Sequence, residues 1–428
     1  MSSSTSSLFL LRHGETGHNA EDIYQGASDL PRLSERGRQQ LLDLIDYLDG
    51  LDVDHVLSSP LRRARETLEL LHQDVRFHHI PFQFMDELIE TSVPEWLGMR
   101  KSDIDRVKLT QWREQPHEFR TLAGISPILT TLERTRALRE LLERERVNHL
   151  LIGHDHVNRC LITALMGLPA SLHLSFPQKN AALTHLQRQP DAPHYELKIL
   201  NLSRSAVKSL VSDQEKSRII LIRHGTTPCN RGKIYQGSQI DAPLDRNGRL
   251  QAARLGQLLV GLEPRAIYSS TLRRAQQTVT ELALPARKDC VPDERLNEFD
   301  YGCWTGLSAR QVEEEHPREL DNWRFLRSST PISGAESLTA LSGRVSSIAT
   351  DAWREALKGG TVVLVAHDVV IRAFICESLG LDISHAWKFP ITNGAVSELV
   401  AANSGRIILR SHNLIPGRLS DRRDSDYL

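Results

Sequence analysis

Residues 8–16 read LFLLRHGET, and residues 219–227 read IILIRHGTT. The two strings lie 211 positions apart (224 − 13), because His13 and His224 occupy the same place in each of them. In both strings four apolar residues precede Arg-His-Gly, which predicts a short buried strand that ends in a polar loop. The chain therefore contains two copies of a strand that delivers an arginine and a histidine to a loop.

Further elements of the chain recur at nearly the same offset. They are YQG at 24–26 and 235–237, SPLRRA at 59–64 and STLRRA at 270–275, the tryptophans Trp96 and Trp304, and the histidines His154 and His367. Several matches at one offset indicate a duplicated domain, and the period is far too long for a solenoid.

The duplication sets the expected domain boundaries. A chain of 428 residues is long enough for two domains. We predict domains over residues 1–205 and 217–428. The polar residues around 203–217 are typical of a linker, and the charged stretch 420–428 is typical of a disordered tail.

Short apolar runs alternate with amphipathic segments in each copy. Predicted strands lie at 8–11, 54–57 and 150–152 and again at 219–222, 266–268 and 362–365. This alternation predicts an α/β fold, with a mostly parallel sheet flanked by helices in each domain. Ligands of such sheets bind at the carboxyl ends of strands. Because His13, Arg63 and His154 all follow predicted strands, we expect them to converge on one site.

Composition excludes several classes of partner. The formal net charge is −1, so no bulk field attracts nucleic acid or membrane. No apolar run is long enough to cross a bilayer, and the four apolar residues before Arg12 are too few for a signal-peptide core. The five cysteines show no CxxC spacing, which indicates reduced thiols. We expect a cytoplasmic protein that binds neither nucleic acid nor membrane. Whether it forms a homodimer stays open.

The recurring residues are suited to phosphoryl transfer. His13 and His224 are candidate nucleophiles, since an imidazole is nucleophilic at neutral pH. A backbone carbonyl would hold the proton on the other ring nitrogen. Gly14 and Gly225, which follow the two histidines, would let the backbone approach the phosphate closely.

The oxygens of a transferred phosphoryl group need cations and donors. Candidate phosphate ligands are Arg12, Arg63, Arg223 and Arg274, together with Asn19 and Asn230, which could otherwise be turn residues. Helices that start near Ser59 and Ser270 would add N–H donors. His154 and His367 would stabilise charge in the transition state.

A carboxylic acid must protonate the leaving oxygen. Glu90 and Glu298 are the candidates, because each lies six residues before its tryptophan (96 − 90 and 304 − 298). In the first copy Glu87 and Glu95 compete for this role. Acidic residues do not cluster with metal-ligand spacing, so we predict no metal and no cofactor.

Taken together, these motifs resemble the histidine phosphatase superfamily, also called the phosphoglycerate mutase-like family. Its opening signature corresponds to residues 12–16 with Asn19. Its Ser-x-Leu-x-Arg-Ala-x-x-Thr element matches 59–67 and 270–278 and points to the second arginine of each pair. Its acid motif is well formed at 296–306. The resemblance implies two tandem domains of that fold and a metal-independent phosphatase with a phosphohistidine intermediate.

The two copies depart from the family pattern at different places. Residues 331–337 look like the family's Pro-x-x-Gly-Gly-Glu-Ser element, whereas 123–126 in the first copy lack the glutamate. The glycine usual before Trp96 is replaced, and Thr226 stands where a glutamate is commoner. We therefore expect the stronger site in the second copy. Two alternatives remain: a phosphoglycerate mutase, and one catalytic half with a phospho-ligand-binding regulatory half.

The compact size of each copy and the string EFDYGCW at 298–304 look phosphatase-like. The tandem arrangement and residues 111–116 are similar to carboxyarabinitol-1-phosphatase-type proteins. The expected partner is a small phosphorylated metabolite, such as a sugar or sugar-acid phosphate. Phosphoserine, α-ribazole phosphate and phosphoglycerates are comparable alternatives.

Overall fold

The computed structural model describes residues 5–48, 50–190, 192–212, 217–284, 289–325 and 330–415. These residues divide into two compact units, here called unit one and unit two, that meet in sequence between Ala206 and Val207. The predicted tail at 420–428 lies outside the described residues.

The sheet of unit one contains six strands in its described part. They are β1 (Ser6–Arg12), β2 (His55–Ser58), β3 (Phe82–Phe84), β4 (His149–Gly153), β5 (Leu183–Arg188) and β6 (Glu196–Leu202). Their order is β3-β2-β4-β1-β5-β6. The first four are parallel, and β5 pairs antiparallel with β1 and β6. The parallel part brings the ends of β1, β2 and β4 to one edge.

Helices connect and cover these strands. They are α1 (Gly17–Ala20), α2 (Glu35–Ile45), α3 (Arg62–His72), α4 (Arg106–Glu114), α5 (Pro127–Arg134), α6 (Arg136–Arg144), α7 (Asp155–Leu165) and, at the unit boundary, α8 (Arg204–Ser212). Helix α2 has the predicted apolar face, since Leu41, Leu44 and Ile45 are buried.

Unit two repeats the architecture. Its strands are β7 (Arg218–Arg223), β8 (Ala266–Ser269), β9 (Val291–Pro292), β10 (Thr361–Ala366), β11 (Val396–Ala401) and β12 (Ile407–Leu414). Their order, β12-β11-β7-β10-β8-β9, matches that of unit one strand for strand. The helices are α9 (Pro228–Arg231), α10 (Arg246–Leu258), α11 (Arg273–Leu282), α12 (Ala309–Glu315), α13 (Pro317–Phe325), α14 (Leu338–Ala356) and α15 (Asp368–Leu379). The predicted α/β class with a duplicated, mostly parallel sheet is confirmed.

The segment predicted as a linker is partly helical. Residues Arg204–Ser212 form α8, because Ala206, Val207 and Leu210 give it an apolar face that is buried. The guanidinium of Arg218 donates to the carbonyls of Ser209 (3.0 Å) and Leu210 (2.7 Å) and so satisfies the end of this helix. Residues 213–216 lie outside the described residues.

The helices that follow β2 and β8 begin just after Ser59 and Ser270. Helix α3 begins at Arg62 and α11 at Arg273. The backbone N–H groups of Ser59 and Ser270 still bond to the neighbouring central strand, at 2.9 and 3.0 Å. The N-cap residues are Leu61 and Leu272, so the helices start near the two serines, as predicted, but the serines themselves continue the strand pairing and do not cap the helices.

The glycines after the two histidines have a packing role. A Cβ on Gly225 would lie 2.3 Å from the Gly248 carbonyl oxygen, and one on Gly248 would lie 2.1 Å from the Thr226 carbonyl oxygen. Gly14 and Gly37 make the same backbone contact in unit one, where a Cβ on Gly14 would lie 2.7 Å from the Gly37 oxygen. The loop that carries each histidine is thus held directly against a helix start.

The structure bears on two expectations from composition. All five cysteines are free, and Cys160 and Cys376 are buried. Among the described residues, no helix combines the length and apolarity that a bilayer crossing needs.

We predict that Gly248→Ala lowers the free energy of unfolding by about 1–3 kcal/mol, because the added methyl group overlaps backbone atoms. Urea unfolding measures the change. The matched control is Gly343→Ala in α14, where a Cβ meets nothing within 4 Å. That control is expected to be neutral or to stabilise by up to about 1 kcal/mol. Equal effects of the two substitutions would contradict the packing role.

Candidate active site

Each unit brings its two predicted histidines together at the ends of adjacent parallel strands. In unit two, Arg223 ends β7 and lies opposite Ala366, which ends β10. The next residues, His224 and His367, have ring centroids 4.9 Å apart. The corresponding distance in unit one, between His13 and His154, is 5.0 Å.

The first histidine of each pair is held as a neutral imidazole. Nδ1 of His224 lies 2.7 Å from the Gly225 carbonyl oxygen, and Nδ1 of His13 lies 2.7 Å from that of Gly14. A carbonyl oxygen only accepts, so Nδ1 carries the proton and Nε2 keeps its lone pair. Burial, followed by the nearby Arg274 and Arg223, lowers the pKa of His224 well below 6.5. Burial and Arg63 do the same for the pKa of His13.

One guanidinium connects the two rings. The Nε–H of Arg274 points at Nε2 of His224 and at Nδ1 of His367, both at 3.2 Å. Its other nitrogens donate to the carbonyls of Ile240 (3.0 Å) and Gly237 (2.7 Å). Burial lowers the pKa of Arg274 to about 10, so the group remains cationic at neutral pH.

Arg63 has the same arrangement in unit one. Its Nε–H lies 3.2 Å from Nε2 of His13 and 3.1 Å from Nδ1 of His154. The carbonyls of Ser28 and Gly26 accept its remaining donors, both at 2.8 Å. In both units, therefore, the second arginine of the pair faces the imidazoles.

The second histidine is oriented by a serine whose role the sequence reasoning missed. Nε2 of His367 lies 2.7 Å from Oγ of Ser270, and Nε2 of His154 lies 2.8 Å from Oγ of Ser59. Since the guanidinium donates to Nδ1, Nε2 carries the proton and donates to the serine. Both serines recur at the repeat offset, and they reach the rings because they continue the strands.

The first arginine of each unit has a buried donor that no protein group satisfies. Nε of Arg12 and Nε of Arg223 have no hydrogen-bond partner within the described part of the chain. Arg12 also donates to the Gln178 carbonyl at 2.6 Å, and Arg223 donates to that of Ile391. Buried polar groups are normally paired, so these two donors favour an anionic ligand.

The candidate acids differ between the units. Oε1 of Glu90 accepts from the N–H groups of Thr91 (2.8 Å) and Val157 (3.1 Å), and Oε2 accepts from that of His156 (3.2 Å). The Glu298 carboxyl accepts from one backbone N–H in the described residues, that of Phe299, at 2.9 Å.

The two acids are also affected differently by their donors. Burial raises the pKa of both carboxyls, with a further contribution from Asp155 at Glu90 and from Asp368 at Glu298. N–H donors favour the charged form of a carboxyl. Glu298, with fewer of them, is better placed to hold and give up a proton.

The structure separates Glu90 from its competitors. Glu90 is buried and interacts electrostatically with Arg63. Oε1 of Glu95 instead accepts from the N–H of Leu122 at 2.8 Å. Glu87 is only half-buried. Glu90 is therefore the acid of unit one that the geometry favours.

Asn19 and Asn230 both have the turn role considered for them, since each completes a capping box, and Asn230 also faces the cavity. In unit two, Oδ1 of Asn230 accepts from the backbone N–H of Thr227 at 3.0 Å, which forms a capping box at the start of α9. Its Nδ2 has no protein acceptor among the described residues. Asn230 also lines the cavity beside His224. The amide N–H groups are thus available to a ligand.

The unusual Thr226 is compensated by a second exchange. In unit one, Oγ of Ser34 donates to the Glu15 carboxylate at 3.2 Å. In unit two, Oγ1 of Thr226 donates to Asp245, which occupies the repeat position of Ser34, at 2.9 Å. The hydroxyl and the carboxylate have changed places, so the contact between the two positions is kept in both units.

Two further pairs of residues support the histidine loops. Nδ2 of Asn393 donates to the His224 carbonyl at 3.1 Å, and Nδ2 of Asn180 donates to the His13 carbonyl at 3.1 Å. Asp368 lies 3.8 Å from the Arg223 guanidinium. Asn180 and Asn393, and likewise Asp155 and Asp368, recur 213 positions apart, as His154 and His367 do. Comparison of the repeats could therefore have found them.

A cavity of about 230 Å³ opens beside His224 in unit two. Arg223, His224 and Glu298 line it together with Lys233 and Tyr301. Ligand sites for drug-sized molecules usually measure roughly 300–1,000 Å³. This cavity is therefore suited to a small polar molecule.

Three potential metal ligands meet elsewhere in unit two. Ligand atoms of Cys303, His316 and Glu319 lie within 4.8 Å of one another. The Glu319 carboxylate already accepts from Nε1 of Trp304 (3.1 Å) and from the N–H of Ser333 (3.3 Å). These bonds account for its position beside the acid loop.

Comparisons with known proteins match both units. The family model described as "Histidine phosphatase superfamily (branch 1)" matches residues 8–200 and 219–414. Phosphoserine phosphatase 1 of Hydrogenobacter thermophilus is 32% identical over 193 residues, which cover 45% of this chain and 90% of that protein. The 2-carboxy-D-arabinitol-1-phosphatase of Triticum aestivum is 25% identical over 425 residues, which cover 91% of this chain and 81% of that protein. Glucosyl-3-phosphoglycerate phosphatase of Mycolicibacterium vanbaalenii is 31% identical over 215 residues, which cover 48% of this chain and 91% of that protein.

We predict that His224 is neutral at pH 7 with its proton on Nδ1, because the Gly225 carbonyl fixes that tautomer and burial disfavours the imidazolium. Long-range proton–nitrogen NMR of protein labelled with ¹⁵N-histidine measures the state of both ring nitrogens. The spectrum of His224→Asn assigns the signal by its loss. An imidazolium at pH 7, or a proton on Nε2, would contradict the prediction.

Proposed function

Because the chain belongs to the histidine phosphatase superfamily, we propose that it hydrolyses small phosphomonoesters through a phosphohistidine on His224 and, less efficiently, on His13. The observation that carries the proposal is the same in both units: the unprotonated Nε2 of a neutral imidazole faces a buried guanidinium. Its named relatives are phosphatases, and phosphoric monoester hydrolysis is the activity that family membership indicates.

The first step would transfer the phosphoryl group to the protein. Nε2 of His224 attacks phosphorus, an N–P bond forms and the bond from phosphorus to the ester oxygen breaks. Arg223 and Arg274 hold the phosphoryl oxygens and neutralise their charge. Glu298 gives its proton to the leaving oxygen. The incoming dianion opposes the effect of the guanidiniums on His367, so that this imidazole can take up a proton and donate to a phosphoryl oxygen.

The second step would release phosphate. The Glu298 carboxylate takes a proton from water while the water oxygen attacks phosphorus. The N–P bond breaks, and its electron pair returns to Nε2 of His224. The arginines supply the cationic charge, so that no metal ion takes part in either step.

Differences between Glu90 and Glu298 support unequal units. Three backbone N–H groups hold Glu90 in place, whereas one holds Glu298. An acid must change its protonation state in each step, and strong hydrogen bonds to its charged form oppose protonation. We therefore assign most of the turnover to unit two.

The proposed substrates are small phosphorylated metabolites. The relative that aligns with 91% of this chain, and so with both units, is named for a sugar-acid phosphate. This alignment supports a sugar-acid phosphate ahead of phosphoserine. A mutase would return the phosphoryl group to the product, so release of phosphate without an isomerised product would distinguish a phosphatase from a mutase.

We predict that His224→Ala lowers kcat/KM by about 10³-fold or more in unit two, since a lost nucleophile is not replaced. His13→Ala should cost less of the total activity, and the double variant should be inactive. Phosphate release from p-nitrophenyl phosphate measures all three. His79→Ala, at an exposed histidine, is the matched control. Equal losses from the two single variants would reject the unequal units, and activity in the double variant would reject the phosphohistidine. A chelator is expected to have no effect.

We predict that Glu298→Gln, made in the His13→Ala protein, lowers kcat/KM about 10²–10⁴-fold for alkyl phosphates, whose leaving oxygen needs a proton. This ratio reports transfer of the phosphoryl group to His224 and not the later hydrolysis, in which Glu298 acts on water whatever the substrate. The loss should be much smaller for p-nitrophenyl phosphate, because p-nitrophenolate leaves without protonation. Steady-state kinetics with both substrates measure the difference. Glu294→Gln, at a nearby glutamate in the same segment, is the control. A loss of equal size on both substrates would show that Glu298 is not the acid.

A further inference from the structure

The cavity of unit two differs from the repeat positions of unit one at two residues. Of the eleven residues that line it, nine are identical at the corresponding positions of unit one. The exceptions are Lys233, which corresponds to Asp22, and Tyr301, which corresponds to Val93. The phosphate-facing residues are thus the same, and the difference concerns the part of the cavity left for the leaving group.

Asp22 and Lys233 occupy equivalent backbone positions. Both have left-handed backbone angles, with φ of 55° and 51°. Their N–H groups donate to the carbonyls of Asn19 (3.3 Å) and Asn230 (3.1 Å). Their own carbonyls accept from the N–H groups of Lys101 (2.9 Å) and Ala309 (2.8 Å). The two side chains therefore leave the chain at the same place relative to the catalytic histidine loop.

Opposite charges are paired at this place in unit one. The Asp22 carboxylate forms an ion pair with the Lys101 ammonium, and Glu21 lies 3.6 Å from Arg100. Each acid is thus matched by a base on the facing segment, and the rim of unit one carries little net charge.

The rim of unit two has lost both pairs. Ala309 stands at the position of Lys101, Ser308 at that of Arg100 and Gly232 at that of Glu21. Lys233 is exposed and has no ion-pair partner among the described residues. Left-handed backbone is easiest for glycine, and Asp and Asn adopt it more readily than Lys does. A lysine is therefore not explained by the turn, whereas an uncompensated cation beside the cavity attracts an anion.

The tyrosine hydroxyls differ in the same sense. In unit one, Oη of Tyr24 accepts from the N–H of Val93 at 3.0 Å. In unit two, the hydroxyl of Tyr235 has no hydrogen bond to protein in the described residues, and Tyr235 lines the cavity. A polar leaving group would find both a cation and a free hydroxyl in unit two.

We propose that Lys233 makes unit two selective for phosphomonoesters whose leaving group carries a second anion, such as a carboxylate, and that unit one lacks this selectivity. The inference rests on the proposed phosphatase activity and concerns its leaving group. Lys233 acts as a specificity residue: it binds the second anion of the substrate and takes no part in the transfer itself.

The test compares two probes that differ in one group. 3-Phosphoglycerate has a carboxylate where glycerol 3-phosphate has a hydroxymethyl group. With only unit two active, in His13→Ala, we expect a higher kcat/KM for 3-phosphoglycerate. Lys233→Met should lower kcat/KM for 3-phosphoglycerate about 5–20-fold, mainly by raising KM. This loss corresponds to roughly 1–2 kcal/mol, since a tenfold change is about 1.4 kcal/mol. The same substitution should change kcat/KM for glycerol 3-phosphate by less than about 2-fold, because this compound lacks the second anion.

Matched variants complete the design. Lys233→Arg should keep most of the preference, and Lys208→Met, at another exposed lysine of unit two, should leave it unchanged. With only unit one active, in His224→Ala, the double substitution Asp22→Lys with Lys101→Ala should create a preference for 3-phosphoglycerate.

The outcomes separate the inference from the activity on which it rests. If Lys233→Met changes both probes equally, or if unit two prefers glycerol 3-phosphate, the inference is overturned and the phosphatase activity stands. If unit two hydrolyses p-nitrophenyl phosphate and not 3-phosphoglycerate, the inference is also overturned. If it hydrolyses none of the three compounds, the proposed function itself fails.

Discussion

The Nε–H of Arg274, shared between the imidazoles of His224 and His367, is the contact on which the rest of the site depends. Two backbone carbonyls hold the guanidinium, so its plane is set before any ligand arrives. A permanent cation between two buried rings disfavours the imidazolium form of both and leaves Nε2 of His224 unprotonated. A lysine could supply the charge but not the fork, because its ammonium cannot direct one N–H at two rings while two others reach separate carbonyls. Among the described residues no carboxylate forms an ion pair with Arg274, which favours an anionic ligand at this place.

The parallel sheet is what makes this contact available. Strands β7, β10 and β8 end at one edge, and His224, His367 and Ser270 each follow directly on the last residue of their strand. The loop after β7 is pressed onto α10 by the approach of Gly225 to Gly248, which leaves no room for a Cβ on either side. The two units show how the residues around this loop diverge. Unit one pairs Glu15 with Ser34, whereas unit two has Thr226 and Asp245 at these positions. The hydrogen bond is retained while both residues change, since the geometry of the loop constrains the contact and not the identity of its members.

Sequence patterns predict the features of this molecule that are encoded by residues close together in the sequence. A buried strand followed by Arg-His, found twice, is enough to place His13 and His224 at strand ends, and the offset leads to Arg63 and Arg274. What failed depended on partners distant in sequence. Ser59 looks like a helix cap, yet its N–H continues to pair with β4, so α3 begins at Arg62. The need for Gly14 comes from Gly37, and the hydrogen bonding of Glu90 comes from the start of α7. Neither contact leaves a periodic signal.

Comparison of the two units shows where a duplicated site is free to change. The imidazoles and the guanidinium between them recur because they contact each other, and altering one would leave a buried charge or a buried donor unpaired. The carboxyl group recurs beside them and interacts electrostatically with the same guanidinium. The residues at the rim are at least partly exposed to solvent, so they can be exchanged without disturbing the core of the site. At one such position, unit one has the neutral ion pair of Asp22 and Lys101. At the equivalent backbone position, unit two has the cation Lys233 facing Ala309. The number of hydrogen bonds to the buried carboxyl also differs, with more at Glu90 than at Glu298, while the histidine beside it is the same in both units. Divergence of this kind can change which ester is accepted, and how fast it reacts, while the phosphate-binding geometry stays the same.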